Sequence, residues 1–302
     1  MRVGVLRNPM SHANRGHPSP PPADLAAFAE PASTADVAAE LARFAEAGVE
    51  LLVIDGGDGT VREALSSLPQ VFRDRTPLIT LIPSGKTNIL AFDVGIRRGR
   101  WTLDAARAAA AQATPRVRRR QPLRVRREGS GEDLQGFVFG AAGLVRATAL
   151  ASGIHRVGVF QNASVGLTLA GAVGEALGGD AAWRRGEILS LSVDGEPTRT
   201  GPRLVTMATT LERLPFAMRP FGRARSGLKY LDADAPARTL PLALPAMIWS
   251  RADAWLERRG YRRGLAGRLD LDIASDVVLD GEVYPGGRFT ITEAPALAFL
   301  TP

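Results

Sequence analysis

An acidic side chain stands inside a run of glycines at Asp55–Thr60, which reads DGGDGT. This segment follows the apolar run Leu51–Ile54 and precedes a helical pattern over Val61–Leu68. A glycine-rich turn between a strand and a helix lets backbone N–H groups and the helix dipole approach a phosphate. A carboxylate at this place repels phosphate unless it binds a metal ion or takes a proton. The segment therefore predicts a phosphate loop with chemistry at Asp58, and the alternative is a plain turn.

Two local patterns limit what this first loop can be. The dinucleotide-binding fingerprint needs glycine or alanine where this chain has Arg62, so that fingerprint does not fit. Thr60 and Glu63 have the spacing of a capping box at a helix start. Glu63 is therefore either a structural residue or a member of the site.

A second loop of small residues, Pro83–Asn88, follows the apolar run Leu78–Ile82 and opens another helical pattern. Its Gly-Lys-Thr end resembles a Walker A loop, but that motif needs glycine where this chain has Thr80, so the Walker interpretation fails. If the two strands are neighbours, both loops open into one crevice at the carboxyl edge of the sheet, where open α/β sheets bind ligands. Two such loops on one rim strengthen the prediction of a phosphate site.

Two weaker signals lie near the ends of the chain. Asn8 directly follows the first apolar run, and its amide could either bind a nucleotide or start a turn. Asp280–Glu282 reads DGE after Val277–Leu279, and its two carboxylates could hold Mg²⁺ on a nucleotide. The same tripeptide occurs at Asp194–Glu196, and Asp-Gly is a common hairpin turn. By itself the tripeptide therefore indicates only a turn.

The elements that must position these loops alternate between strand and helix in the first third of the chain. This alternation, with continuous apolar strands, predicts a parallel sheet that is covered on both faces. The predicted strands are Arg2–Leu6, Glu50–Ile54 and Leu78–Ile82, and the predicted helices are Thr34–Ala47, Val61–Leu68, Ile89–Phe92 and Leu103–Ala113.

Beyond residue 115 the pattern changes to short strands separated by Gly, Pro and Asp turns, which is typical of an antiparallel sandwich or barrel. These strands are Phe137–Phe139, Ile188–Val193, Leu204–Thr210, Leu269–Ile273, Val277–Leu279, Arg288–Thr292 and Ala296–Leu300. We therefore predict an α/β domain over residues 1–115 and a β domain over residues 116–302. The arginine-rich stretch Pro115–Arg127 is interpreted as a solvated strand face.

Composition excludes several classes of protein. The chain has no cysteine, which excludes disulfides, zinc–thiolate sites and a thiol nucleophile. The net charge is +7, and only two of the 38 basic residues, Lys86 and Lys229, are lysines. Arginine suits phosphates and carboxylates, although GC-rich coding gives the same bias. The charge permits an anionic partner, but no nucleic-acid recognition motif is present, so nucleic acid is not a predicted partner.

The sequence predicts no membrane-spanning segment, because no run of about 18 apolar residues occurs. The N-terminal residues lack the apolar core of a secretory signal. We therefore expect a cytoplasmic protein, and peripheral association with the inner face of the membrane is compatible with this sequence. A helix predicted over Pro245–Arg263 has an apolar face with Trp255 and a second face with arginines. Such a helix either lies in a membrane interface or packs on the sheet.

In order along the chain, these segments resemble the lipid kinase family that includes bacterial diacylglycerol kinases and the eukaryotic sphingosine and ceramide kinases. The resemblance rests on Asn8-Pro9, Gly56–Thr60, Ser84–Asn88 and Asp280–Glu282. It implies an N-terminal three-layer α/β nucleotide-binding domain and a C-terminal antiparallel β-sandwich that binds the lipid, with the active-site cleft between them. It also implies that ATP and Mg²⁺ are used to phosphorylate a lipid hydroxyl at a membrane surface.

The resemblance also implies roles for individual residues. Asp58 matches the position that deprotonates the acceptor hydroxyl, and Asp280 and Glu282 match positions linked to the metal and to catalysis. The nucleotide would contact Asn8, Gly56, Gly57, Gly59, Thr60, Glu63, Ser84, Gly85, Thr87 and Asn88.

The chain departs from the family pattern at two places that bear on catalysis. Ile89 stands where many members have an aspartate after Asn88, and Arg225–Leu228 replaces a segment that supplies a structural Mg²⁺ site in some relatives. We therefore expect an ATP-dependent lipid kinase and keep two alternatives open. These are a catalytically weak nucleotide-binding regulator and a kinase of soluble metabolites related to NAD kinase. The lipid and the oligomeric state are not predicted.

Overall fold

The computed structural model describes residues 1–18, 21–131, 133–146, 148, 185–214, 218–237, 239–249 and 251–302. The chain divides into two units, of which the first comprises Met1–Pro122 with Pro295–Pro302 and the second comprises Leu123–Ala294. This division differs from the sequence-based boundary at residue 115, and it also assigns the last residues to the first unit. The reason is that the final strand pairs within the first sheet.

The first unit contains a six-stranded sheet in the order β2-β1-β3-β4-β17-β5. Its strands are β1 (Val3–Arg7), β2 (Ala27–Ala29), β3 (Leu51–Gly56), β4 (Leu78–Pro83), β5 (Val117–Arg120) and β17 (Leu297–Leu300). Its helices are α1 (Val37–Glu46), α2 (Asp58–Val71), α3 (Ile89–Asp93) and α4 (Leu103–Ala110). Strands β1 to β4 pair in parallel, and β17 lies parallel to β4 and antiparallel to β5.

The centre of this sheet is buried as the continuous apolar pattern predicts. All four residues of Leu51–Ile54 are inaccessible to solvent, which is the expected state of a parallel strand covered on both faces. On α1, Leu41 and Phe44 are buried as well. A Cβ on Gly4 of β1 would lie 2.8 Å from Phe44 Cδ2, so glycine is needed for this close packing of helix on strand.

The last predicted strand is present, but the prediction that it belongs to the second, antiparallel sheet was wrong. Ala296–Leu300 was assigned with the antiparallel strands of the second half, whereas β17 lies between β4 and β5 in the first sheet. The strand is buried there, and the Thr80 hydroxyl on β4 donates a 3.0 Å hydrogen bond to the Leu300 carbonyl. The indole N–H of Trp101 donates in turn to the Thr80 hydroxyl at 2.8 Å.

The arginine-rich stretch is a solvated strand face only in part. Arg118 and Arg119 of β5 are exposed, as predicted. Arg120 is instead buried, and its guanidinium pairs with the carboxylate of Asp93, which is fully buried at the end of α3. A buried charge requires such a partner, so Arg120 belongs to the core of the first unit.

The second unit is built on an antiparallel sheet with 11 strands in the described part of the chain. Every strand pair in it is antiparallel, and its buried apolar residues contribute to two clusters, of which the second also contains residues from the helices of this unit. The predicted class, an α/β domain followed by an antiparallel β domain, is therefore confirmed. The strands are β6 (Leu123–Arg127), β7 (Asp133–Gly136), β8 (Val138–Ala142), β9 (Glu187–Val193), β10 (Arg199–Thr209), β11 (Leu228–Asp234), β12 (Tyr261–Ala266), β13 (Arg268–Ile273), β14 (Val277–Leu279), β15 (Glu282–Tyr284) and β16 (Gly287–Glu293).

The single helix predicted over Pro245–Arg263 was wrong. The structure has two shorter helices, α5 (Leu240–Ile248) and α6 (Asp253–Arg258), and the residues from Tyr261 onward form β12. Helix α5 ends where the Arg251 N–H bonds to the Ala246 carbonyl at 2.8 Å, and Ala252 follows in the left-handed conformation. No helix among the described residues has the length and apolar character needed to cross a membrane.

Candidate active site

Three loops meet at one edge of the first sheet, because β1, β3 and β4 are parallel and end in register. Arg7 pairs with Asp55, and Gly56 pairs with Pro83. Main-chain bonds continue this alignment past the strand ends. The Asn8 N–H donates to the Asp55 carbonyl at 2.8 Å, and the Ser84 N–H donates to the Gly56 carbonyl at 3.0 Å. The predicted neighbourhood of the two glycine loops is therefore present in the structure.

Side chains tie the three loops together. The Asn8 amide donates to the Thr60 hydroxyl at 2.8 Å, which connects the loop after β1 to α2. The Asp55 carboxylate accepts a 2.9 Å hydrogen bond from the Asn14 amide and a second one from the Ser84 hydroxyl. These bonds fix the relative positions of the loops before any ligand binds.

Asn14 and the side-chain role of Asp55 were missed by the sequence analysis. Asp55 carries a usable signal, since a carboxylate at the last position but one of a buried strand needs partners. It also lies 3.5 Å from the buried guanidinium of Arg7. Asn14 gives no such signal, because its partners depend on how the proline-containing segment after β1 folds back over the sheet edge.

The two glycine loops touch at Gly57 and Gly85. A Cβ on Gly85 would lie 2.4 Å from the Gly57 Cα, and a Cβ on Gly57 would lie 3.1 Å from the Gly85 Cα. The neighbouring Gly56 is equally restricted, because its Cβ would lie 2.7 Å from the Thr60 Cβ. Gly57 and Gly85 are thus required by the close approach of one backbone to another, and Gly56 is required by the Thr60 side chain, in addition to any contact with phosphate.

We expect Gly85→Ala to separate the two loops and to weaken nucleotide binding, because the methyl group cannot fit against the Gly57 backbone. The expected loss of stability is about 1–3 kcal/mol, as for other overpacked sites. The matched control is Gly264→Ala in β12, where a Cβ would meet only Tyr230 Cε1 at 3.8 Å. Thermal unfolding and nucleotide titration of both variants test this, and equal behaviour of the two variants would contradict the close contact.

Asp58 lies between the two loops, at the first residue of α2. Its carboxylate accepts a 2.8 Å hydrogen bond from the Ile89 N–H at the start of α3. Burial raises the pKa of Asp58 above its ordinary value of 3.8, and the backbone N–H groups of Ile89, Asn88 and Leu90 partly oppose this increase. Among the described residues no cation pairs with Asp58. The site thus holds a half-buried carboxylate whose proton affinity is increased.

The departure at Ile89 does not disturb this contact, since Ile89 contributes its backbone N–H. The turn before it is closed by Asn88, which adopts the left-handed conformation and exchanges two hydrogen bonds with Gly85 of 2.8 and 2.9 Å. Thr87 is exposed beside it. The hydrogen bonds of Asn88 therefore fix the conformation of the second loop, and the N–H that follows this loop donates to the Asp58 carboxylate.

The capping-box interpretation of Thr60 and Glu63 was wrong. Helix α2 begins at Asp58, so Thr60 lies inside its first turn and its hydroxyl accepts from Asn8. Glu63 is half-buried one turn further on and lies 3.5 Å from the Arg62 guanidinium. Glu63 is therefore placed to orient Arg62, and its predicted contact with a nucleotide stays a prediction.

The two late carboxylates belong to the second unit, on the hairpin of β14 and β15. Asp280 and Gly281 have φ values of 48° and 88°, which is the conformation of a type I′ turn. The Asp280 carboxylate accepts from the Val138 N–H at 2.8 Å and from the Phe137 N–H at 2.9 Å. Asp280 therefore has a structural role at the start of β8, and any metal would use its remaining lone pairs.

The second DGE tripeptide has the same local structure. Asp194 and Gly195 have φ values of 52° and 77°, and the Asp194 carboxylate accepts from the Gly267 and Arg268 N–H groups at 2.7 and 2.8 Å. In both turns the aspartate N–H also donates a 2.9 Å hydrogen bond, from Asp280 to the Val138 carbonyl and from Asp194 to the Arg268 carbonyl. The hairpin geometry of Asp280 is thus not specific to a functional site, and Asp194 provides an internal control.

Glu282 is exposed at the first position of β15. The described residues contain no cluster of three or more His, Asp or Glu side chains that could hold a metal ion. Next to Arg225–Leu228, the segment that departs from the family pattern, the Lys229 ammonium donates to the carbonyls of Arg225 and Gly227 at 2.9 and 3.0 Å. A cation that belongs to the chain therefore holds this turn.

Comparisons with known proteins fit this arrangement. Residues 22–119 match the family model of the diacylglycerol kinase catalytic domain. The chain is similar in structure to a diacylglycerol kinase from Bacillus anthracis Sterne, with 15% sequence identity, a TM-score of 0.65, and coverage of 100% of this chain and 97% of that chain. A candidate diacylglycerol kinase from the same organism aligns with 16% identity, a TM-score of 0.68 and the same coverage. No curated protein matches the chain.

The chain shares with these solved structures a mixed sheet followed in the chain by an antiparallel β unit, and in this chain glycine loops lie at the carboxyl edge of the mixed sheet. The match over residues 22–119, together with the shared fold, confirms the resemblance to the diacylglycerol kinase-like lipid kinase family.

Proposed function

We propose that this chain is a lipid kinase that transfers the γ-phosphoryl group of ATP to a lipid hydroxyl, with Mg²⁺ bound to the nucleotide. The observation that carries the proposal is the contact of two glycine loops around the carboxylate of Asp58, within the segment that matches the kinase family model. Phosphoryl transfer depends mainly on positioning and on the neutralisation of charge. The rigid pair of loops suits the positioning, while backbone N–H groups and Mg²⁺ would supply the neutralisation of charge.

The nucleotide phosphates would bind to backbone N–H groups of the first loop and of the first turn of α2. The N–H groups of a first helical turn have no partners within the helix, and they carry the positive end of its dipole. Gly57 is extended, with φ −96° and ψ −177°, so the loop runs directly into the helix start. Gly56, Gly59 and Thr60 complete this loop, while Ser84, Gly85, Thr87 and Asn88 form the opposite wall.

Asp58 would accept the proton of the lipid hydroxyl as the phosphoryl group is transferred. Burial raises its pKa, which makes the ionised carboxylate a stronger base than an exposed aspartate. Its bond to the Ile89 N–H fixes the orientation of the carboxylate and leaves lone pairs for the incoming hydroxyl. Asn8 would act on the same loop by holding the Thr60 hydroxyl.

Asp280 and Glu282 fit the binding of Mg²⁺ on a nucleotide. This ion is usually held by one or two carboxylates, water and substrate phosphates instead of a cage made only by protein. Two carboxylates on one hairpin match that donor set, and the described residues offer no larger cluster. When bound, Mg²⁺ would neutralise the charge of the transferred phosphoryl group.

The acceptor we propose is a diacylglycerol-like lipid presented at a membrane surface, and the place of action is the cytoplasmic face of that membrane. The test is the transfer of labelled phosphate from ATP to a panel of diacylglycerol, sphingoid base and NAD, with and without Mg²⁺. Labelling of a lipid that requires Mg²⁺ supports the proposal. Labelling of NAD alone would favour the soluble-metabolite kinase, and tight ATP binding without turnover on any acceptor would favour the regulator.

A further inference from the structure

Helix α5 has no polar side chain, although it lies on the surface of the second unit. Its nine residues read LPLALPAMI. Leu240, Ala243 and Met247 are buried in the cluster that also contains Leu231 and Tyr261. A helix that is apolar on all sides is normally buried on all sides. The second face of α5 therefore needs an apolar cover that the described residues do not supply.

The uncovered face is formed by residues at helical spacing. Pro241, Pro245 and Trp249 follow each other at intervals of four, and Leu242 lies beside them. The exposed fractions of Leu242 and Trp249 are 70% and 66%, among the largest of any apolar side chain in the described chain. Single exposed apolar residues are ordinary, whereas a contiguous set on one helix marks an interaction surface.

Arginines surround the carboxyl end of this face. The Arg219 N–H bonds to the Ile248 carbonyl at 2.9 Å, and the Arg251 N–H bonds to the Ala246 carbonyl at 2.8 Å, so both residues are fixed against the end of α5. Both side chains are exposed, and no described carboxylate pairs with either of them. Arg258, the last residue of α6, and Arg259, which follows it, are exposed as well.

Few negative charges oppose these arginines. The Asp253 carboxylate is occupied by the guanidinium of Arg263, which itself bonds to the Met247 carbonyl at 3.0 Å. Glu257 is the other acidic residue of α6, and it is exposed. The surface therefore combines an apolar face that carries a tryptophan with an excess of arginine around its end.

We propose that the α5 face, Pro241, Leu242, Pro245 and Trp249 with Arg219 and Arg251, is the surface by which the protein lies on an anionic membrane. This inference rests on the proposed lipid kinase function and adds the surface that would contact the membrane in which the lipid lies. Leucine and tryptophan enter the boundary between headgroups and acyl chains, while arginines remain at the level of the lipid phosphates. The arginine excess complements anionic lipid, which is why we favour a membrane over an apolar protein partner.

The test is co-sedimentation of the full chain with vesicles of phosphatidylcholine alone and of phosphatidylcholine mixed with phosphatidylglycerol, in the absence of nucleotide. We expect binding to the mixed vesicles that decreases with salt. The double variant Leu242→Ser/Trp249→Ser should bind at least about tenfold more weakly, because two apolar side chains no longer insert. Arg219→Gln/Arg251→Gln should lose the preference for the anionic vesicles.

The matched control is Ile188→Ser on β9, an apolar residue of the same unit with an exposed fraction of 72% that lies outside the α5 face. It should bind vesicles like the unchanged protein. Equal binding by the α5 double variant, or no binding by the unchanged protein, would overturn the proposal. A dimer that the double variant dissociates, in a protein that ignores vesicles, would overturn it in favour of a second copy of the chain.

A second measurement separates this inference from the proposed function. Phosphorylation of a water-soluble short-chain diacylglycerol without vesicles should be the same for the α5 double variant and the unchanged protein. Activity on the short-chain lipid together with unaltered vesicle binding by the variant would reject only the membrane surface. If the unchanged protein phosphorylates none of the acceptors but binds vesicles in a manner that depends on α5, only the kinase assignment is rejected.

Discussion

Replacing Asp58 with asparagine is expected to lower the rate of phosphoryl transfer by about 10²- to 10⁴-fold, the usual contribution of a general base. Asparagine keeps an oxygen that accepts from the Ile89 N–H, so the hydrogen bond that connects the two loops remains. It removes the negative charge and the basicity. Nucleotide affinity should therefore be kept or increase, because the removed charge repels phosphate, and the loss should appear in kcat.

Stability should respond in the opposite direction. Because burial raises the pKa of Asp58, the ionised carboxylate destabilises the folded state, and this cost grows as the pH rises from 3.8 through the raised pKa. At neutral pH the Asp58→Asn variant should unfold at the same temperature or at a higher one. A folded variant with full activity would show that Asp58 only caps α3 and is not the base.

The pH dependence gives a second check on the same residue. The base must be ionised, so kcat of the unchanged enzyme should fall on the acid side through a pKa above 3.8. The residual activity of Asp58→Asn should lack that acid limb. An identical limb in both proteins would assign the titration to another group.

Asp280→Asn is expected to reduce kcat by about 100-fold or more, because a carboxylate that neutralises transition-state charge through a metal contributes several kcal/mol. The internal control is Asp194→Asn, since both aspartates occupy type I′ turns and accept from two consecutive backbone N–H groups. Asparagine can keep both bonds of Asp194, because both end on Oδ1. In Asp280 the oxygen of asparagine can keep the 2.8 Å bond from Val138 and the longer 3.1 Å contact with Phe137, and the 2.9 Å bond of Phe137 to Oδ2 is lost. The control variant should therefore retain full activity, and any loss of stability should be larger in Asp280→Asn.

The dependence of the rate on Mg²⁺ concentration distinguishes a role in metal binding from a role in folding. Asp280→Asn should require more Mg²⁺ for half-maximal activity, whereas Asp194→Asn should not. Equal rates and equal Mg²⁺ dependence in the two variants would mean that Asp280 serves only its hairpin. Glu282→Gln should behave like Asp280→Asn if both carboxylates act on one ion.

The strands at the centre of the first sheet could be predicted from the sequence because their signal is local. Leu51–Ile54 is a continuous apolar run and Leu78–Ile82 is interrupted only by Thr80, and both lie in parallel strands that end in Gly56 and Pro83. The sheet to which the last strand belongs is not a local property. β17 has an ordinary strand pattern, and only its long-range pairing with β4 and β5 assigns it.

The break between α5 and α6 was also beyond the sequence pattern. The apolar spacing of Ile248, Ala252, Trp255 and Leu256 fits one helix, yet Ala252 adopts a φ of 56° that alanine rarely takes. The chain reverses there because Arg251 bonds back to Ala246 and because Arg263 reaches the Met247 carbonyl from β12. These contacts come from the tertiary fold.

The candidate site shows the same division between local and long-range information. The glycine loops and Asp58 could be found from the sequence because a turn that brings backbone close to phosphate favours glycine. A carboxylate inside such a loop repels phosphate, so its presence indicates a chemical role. That the loops touch at Gly57 and Gly85 follows from the parallel order of β3 and β4, which the sequence only suggested. The partner of Asp58 is a main-chain N–H, and no side-chain pattern reveals it.

The position of β17 has a consequence for translation. The first sheet takes strands from before and after the second unit, because Leu297–Leu300 lies between β4 and β5. While the ribosome is still adding Leu123–Ala294, the nascent first unit lacks this strand, and the facing edges of β4 and β5 stay unpaired. Unpaired strand edges attract other chains, so newly made protein is more exposed to aggregation until Leu297–Leu300 emerges.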